Sequence, residues 1–139
     1  MWRETMINTL RIALFSTVFF LTSCTIPDEL ELFNNAGEPL SVSVGSTVTT
    51  IEPGRSAKFN KLSIHRVTIT IGCSSRAYEV ADLPLSNIVQ KGWGPFARRI
   101  FHAQVEPDGR IWAVSPDQDY PVRDFISQPE GFPIVPITT

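Results

Sequence analysis

Apolar and polar residues alternate along much of this chain. In "RVTITIGC", residues 66 to 73, Val67, Ile69, Ile71 and Cys73 share one parity while Arg66, Thr68 and Thr70 share the other. Period two with β-branched residues marks a half-buried strand, and on this parity Cys73 points inward and is inert. His65 has the same parity as Cys73, but eight residues of strand at ~3.3 Å each hold the two about 26 Å apart, so they form no Cys-His pair.

The same pattern continues on both sides. "ELELF" (29–33) and "PLSVSVG" (39–45) flank Asn34-Asn35-Ala36-Gly37, a turn cluster suited to a hairpin. "STVTTI" (46–51), "SAKFN" (56–60) after Pro53-Gly54, and "SRAYEVA" (75–81) before Asp82 and Pro84 read as further strands. The clearest hairpin is "RRIFHAQVEPDGRIWAV", 98–114, with Pro107-Asp108-Gly109 as its turn. Its alternation sets Phe101, Ala103 and Val105 on one side and Ile100, His102 and Gln104 on the other. Only "SNIVQKG" (86–92) has a helical reading, of a single turn.

Seven or eight short strands with turn signals every 8 to 12 residues predict an all-β domain, a small antiparallel sandwich or barrel. From Ser115 the character changes. Five of the eleven prolines fall at 116, 121, 129, 133 and 136, which predicts an extended, proline-rich tail over 115–139. Phe125, Phe132, Ile134 and Val135 make it too apolar for a free linker, so it either covers an edge of its own sheet or offers a low-entropy segment to a partner.

The N-terminus follows other rules. A lead with Arg3 and Arg11 precedes an apolar core, Ile12 to Leu21, and a Thr22-Ser23-Cys24 exit. This is the zoning of a secretory signal peptide, and the run is shorter than the roughly 20 residues a membrane span needs. Leu21-Thr22-Ser23-Cys24 resembles the lipobox of bacterial lipoproteins. The resemblance covers about the first 24 residues and implies removal of residues 1–23, lipid on the Cys24 thiol and acylation of the new amino terminus. Several chains on one cysteine hold a membrane stably, at ~0.8 kcal/mol per buried methylene. Thr25 stands where lipoproteins retained at the inner membrane of Gram-negative bacteria typically carry Asp, which favours the outer membrane, facing the periplasm. The chain then divides into signal 1–23, tether 24–28, β domain 29–114 and tail 115–139.

Charge and cysteine content sharpen this. Without residues 1–23, which hold Arg3, Arg11 and Glu4, the 12 basic and 14 acidic side chains become 10 and 13, a formal −3. Nucleic-acid binding, which draws on a basic surface, is disfavoured. With Cys24 lipidated, Cys73 has no intramolecular disulfide partner.

No motif specifies a reaction or a cofactor. Two histidines and one remaining thiol offer no clustered ligand spacing for Zn or Cu, and Asp117, Asp119 and Asp124 lack the glycine and glutamate of a calcium loop. No Gly-x-Ser-x-Gly elbow frames a nucleophile. Glu29 and Glu31 read as guards of an edge strand, not as a catalytic pair. The expectation is a non-enzymatic envelope lipoprotein with a structural, assembly or protein-binding role.

The candidate surface is "KGWGPFARR", 91–99. Gly92 and Gly94 bracket Trp93, Phe96 follows Pro95, and Lys91, Arg98 and Arg99 flank them, a set of residue types common in binding hot spots. The aromatics either fold under the loop and cap the sandwich or stand out as anchors. They suit a protein partner or, alternatively, an envelope glycan stacked on Trp93 and Phe96 with the cations answering its acidic groups. Phe132 joins the candidate surface through the tail.

Overall fold

The computed structural model describes Ile26 and residues 28–60, 65–80, 83–125 and 127–137. The expected signal peptide, residues 1–23, and the lipobox-like stretch Leu21 to Cys24 lie outside the described residues. Among the described residues, nine strands form two sheets that pack face to face without closing into a barrel. They are β1 (Asp28–Asn34), β2 (Leu40–Val44), β3 (Thr47–Ile51), β4 (Ser56–Asn60), β5 (Arg66–Ile71), β6 (Ser74–Glu79), β7 (Ile88–Lys91), β8 (Arg98–Val105) and β9 (Ile111–Val114). The fold is the expected β-sandwich, with one feature beyond the antiparallel reading. One sheet runs β4-β1-β8-β7 with β9 also on β8, and its β1–β8 pair is parallel; the other, β3-β2-β5-β6, is antiparallel throughout.

The alternation read from the sequence is the alternation of the core. Leu30 and Leu32 of β1, Leu40 and Val42 of β2, Val67 and Ile69 of β5, and Phe101, Ala103 and Val105 of β8 are all buried between the sheets. The hairpin of β8 and β9 forms in register, Val105 opposite Ile111, with Gly109 at φ +82° in its turn. A side chain at Gly109 would meet the Arg76 guanidinium and the Tyr78 hydroxyl, which itself donates to the Gly109 carbonyl at 2.7 Å.

Four local expectations are corrected. Asn34 to Gly37 does not turn a hairpin, because β1 and β2 belong to different sheets. Asn34 is fully buried; its amide donates to the carbonyls of Glu38 (2.9 Å) and Ile51 (2.7 Å), and its Oδ1 accepts from the Ala36 N–H. These bonds fasten a crossover between layers. Strand β1 is central, so Glu29 and Glu31 guard no edge. Cys73 is exposed, because Gly72 at φ +57° ends β5 at Ile71 and breaks the alternation one residue before the cysteine. In 86–92, only a 3-10 turn at Leu85–Asn87 is helical; β-branched Ile88 and Val89 then begin a strand.

The tail packs on the domain. It crosses the outer face of the first sheet, where Tyr120 stacks on Phe33 (4.5 Å, 9°) and Phe125 on Trp112 (4.8 Å, 15°). It then rounds β9, where Ile134 and Ile111 exchange both backbone bonds, and reaches the second sheet, where the Ile137 N–H donates to the Ala77 carbonyl at 2.8 Å. The proline-rich segment thus stitches the two sheets along one open side. With no regular ladder available to it, two glutamines supply the pairing. Gln104 bonds both backbone groups of Val122, and Gln128 both groups of Ala113.

Candidate functional site

Two glycines and a short turn build the loop between β7 and β8. Gly92 and Gly94 have φ of +78° and +59°, a region costly for residues with a Cβ. A Cβ on Gly92 would lie 2.7 Å from the Phe96 carbonyl oxygen, so the loop closes tightly there. Gly94–Phe96 forms one 3-10 turn, with Phe96 N–H donating to Trp93 O and Ala97 N–H to Gly94 O. Ala97 is buried and roots the loop. The two aromatics face outward, Trp93 85% and Phe96 83% exposed. The backbone is thus pinned at both ends while its largest apolar side chains stand in solvent.

The flanking cations differ in their engagement. Lys91 is exposed and faces Arg98 across β7 and β8, a like-charge pairing that Glu29 relieves by taking Arg98 Nη1 at 2.6 Å. Arg99 grips Asp28 with two bonds, 2.6 and 3.0 Å. Both arginines therefore connect the base of the loop to the start of β1. The second oxygen of Glu29, buried, has no hydrogen-bond partner among the described residues. Phe132 does not join this surface; it is half-buried, its ring 5.0 Å from that of Phe101 at the core.

The fold also gathers groups that the linear sequence keeps apart. On the outer face of the first sheet, Glu31 accepts from the Ser56 hydroxyl (3.0 Å) and lies 3.8 Å from Lys58 Nζ and 3.9 Å from His102 Nδ1. His102 Nδ1 is also 3.2 Å from the Tyr120 hydroxyl. Burial lowers the pKa of His102; Glu31 opposes this, and Lys91 and Lys58 add to it. Burial, with Glu31 nearby, holds the Tyr120 phenol well above its ordinary value. Glu31 and His102 each lie on the parity of their own strand that faces away from the core, which the alternation shows, but the parallel pairing that sets them opposite each other has no local signal. The cluster fastens Tyr120, and with it the tail.

Shallow depressions run beside the tail, one lined by Trp112, Arg123 and Phe125 near the β8–β9 turn, another by Asp117, Phe125 and Gln128. They lie apart from the aromatic loop. Among the described residues no group of three or more His, Cys, Asp or Glu side chains is arranged to hold a metal ion.

No family model matches this chain, and no curated protein and no solved structure gives a significant match to it. The fold and the loop define it as a small mixed β-sandwich, sealed along one side by its own tail and displaying two aromatic side chains at one end.

Proposed function

We propose that this chain is a lipid-anchored lipoprotein of the bacterial cell envelope, attached through Cys24 and, in a Gram-negative cell, facing the periplasm from the outer membrane. Its work is structural or binding, with no reaction of its own. The observation that carries the binding half is the exposure of Trp93 and Phe96 on a loop whose backbone is closed by the Phe96–Trp93 and Ala97–Gly94 hydrogen bonds and rooted by buried Ala97. A preorganised loop loses little conformational freedom on contact, so burying its two aromatics yields more net affinity than a floppy loop would give. The ionisable groups gathered at Glu31, His102 and Tyr120 are engaged with one another under the tail, which suits a fastening role.

An envelope glycan is the second reading, favoured by the same pair of rings as a stacking platform. It ranks lower because Arg98 and Arg99, the cations it needs for acidic groups, already hold Glu29 and Asp28.

Metabolic labelling with palmitate tests the anchor: the wild-type chain takes the label and Cys24→Ala does not. A wild type without label ends the lipoprotein reading. Loss of sacculus binding on Trp93→Ala, with membrane association unchanged, would move the loop to the glycan reading.

A further inference from the structure

We infer that the Trp93-Gly94-Pro95-Phe96 loop seats in the interfacial layer of the same bilayer that carries the lipid anchor, so that the domain stands on its membrane at two points. The inference rests on the lipoprotein reading and names the partner of the loop within it.

The parallel pair of β1 and β8 decides the geometry. Parallel strands begin at the same end of a sheet, and here Asp28 lies opposite Arg99. The loop that leads into β8 is therefore at the end where the chain enters β1, and the doubly bonded Asp28–Arg99 pair ties the two together. Cys24 precedes Asp28 by four residues, which span at most ~14 Å fully extended. A lipidated Cys24 consequently holds this end of the sandwich at the membrane surface and leaves little room for a folded partner between the loop and the lipid.

The side chains at that end match what a bilayer interface accepts. Trp93 and Phe96 are the most exposed large apolar residues of the described chain, and an indole favours the headgroup depth, where its ring is in an apolar layer and its N–H stays wet. Lys91 lies on the strand just behind the rings, at the level where cations meet lipid phosphates. The acidic residues of the same end, Asp28 and Glu29, are neutralised by Arg99 and Arg98 and so present little repulsion to an anionic surface. The Phe96–Trp93 and Ala97–Gly94 backbone bonds close the turn that carries both rings before any membrane is met.

The test uses the processed, lipidated protein in vesicles of phosphatidylethanolamine and phosphatidylglycerol, with and without bromine on the acyl carbons nearest the headgroups. With Trp2 removed along with the signal segment, Trp93 and Trp112 are the two emitters. The contribution of Trp93 is the difference between wild type and Trp93→Phe, and Trp112→Phe, which keeps an aromatic against Phe125, isolates it independently. The expected result is co-flotation with a blue-shifted Trp93 emission that brominated lipid quenches. Co-flotation with an unshifted, unquenched Trp93 overturns the inference and leaves the anchor intact. Failure to co-float removes the anchor, and the inference falls with it. A photo-crosslinking residue at Phe96 in intact cells that yields a dominant protein or glycan adduct in place of lipid also overturns it.

Discussion

The side-chain amide of Gln104 meets the backbone of Val122 twice, donating to its carbonyl and accepting from its N–H, each at 2.8 Å. A glutamine on β8 thereby does for the tail what a neighbouring strand's peptide group would do. Both residues are buried, so none of the four polar groups has water as an alternative.

Gln104→Leu keeps most of the volume and removes both bonds together with the Gln104 donation to Glu106, leaving the Val122 N–H and carbonyl buried and unpaired. The expected cost is about 2–4 kcal/mol, read as a lower urea midpoint, together with faster hydrogen exchange at Val122. An unchanged midpoint would show that the other tail contacts, among them Tyr120 on Phe33, Gln128 on Ala113 and the backbone bonds of Ile134 and Ile137, hold it without Gln104.

His102 makes stability depend on pH. Its folded-state pKa is below the ordinary 6.5 because burial disfavours the charged ring; Glu31 pulls the other way, Lys91 and Lys58 add to the lowering, and the Tyr120 hydroxyl stays neutral beside it. Just below pH 6.5 the unfolded chain binds a proton that the folded chain refuses, so stability falls as pH drops through that window and recovers as it rises. Urea midpoints taken from about pH 7.5 down to 5.5 should show this slope, and His102→Gln should flatten it. A wild-type profile that rises toward acid over this range would contradict the buried, neutral ring.

Gly92 and Gly94 should respond differently to alanine. Both have positive φ, a strain of roughly 1 kcal/mol for a residue with a Cβ, but only at position 92 would that Cβ strike the Phe96 carbonyl, since position 94 opens to solvent. Gly92→Ala is expected to be the more destabilising and to alter the Trp93 emission by moving the turn. Gly94→Ala should leave that emission close to wild type.

Cys73 should react at once and stoichiometrically with a maleimide in the native protein, because the turn at Gly72 places its thiol in solvent. Labelling that requires urea would return Cys73 to the core and lengthen β5 by two residues.

Much of the fold was legible because alternation is a local property. Val67 and Ile69, or Phe101, Ala103 and Val105, announce a buried face without knowledge of what covers it, and Pro107-Asp108-Gly109 announces its own hairpin. Misreadings arose where a local signal had two tertiary uses. Asn34 to Gly37 has the composition of a hairpin turn, yet the buried amide of Asn34 spends its bonds on a crossover. Cys73 kept the parity of a strand that Gly72 had already ended.

The candidate loop divides the same way. Gly-Trp-Gly-Pro-Phe marks a turn bearing aromatics, but whether those rings tuck under or stand out depends on the space beside them. That space is set by β7, β8 and the buried Ala97. Phe132, equally apolar in the sequence, went to the core because the tail rounds β9 and brings it to Phe101.

The sequence by itself determined the all-β class, most strand positions, the β8–β9 hairpin and the expectation of a lipidated Cys24, since each rests on residues within a few positions of one another. Only the tertiary structure decided that β1 pairs in parallel with β8 across some seventy residues, and that the tail closes the sandwich through Gln104 and Gln128. It also decided that Trp93 and Phe96 stand exposed at the end where the chain enters the domain. These depend on long-range pairing, whose stability comes from the combined burial of many strands and is written in no single segment.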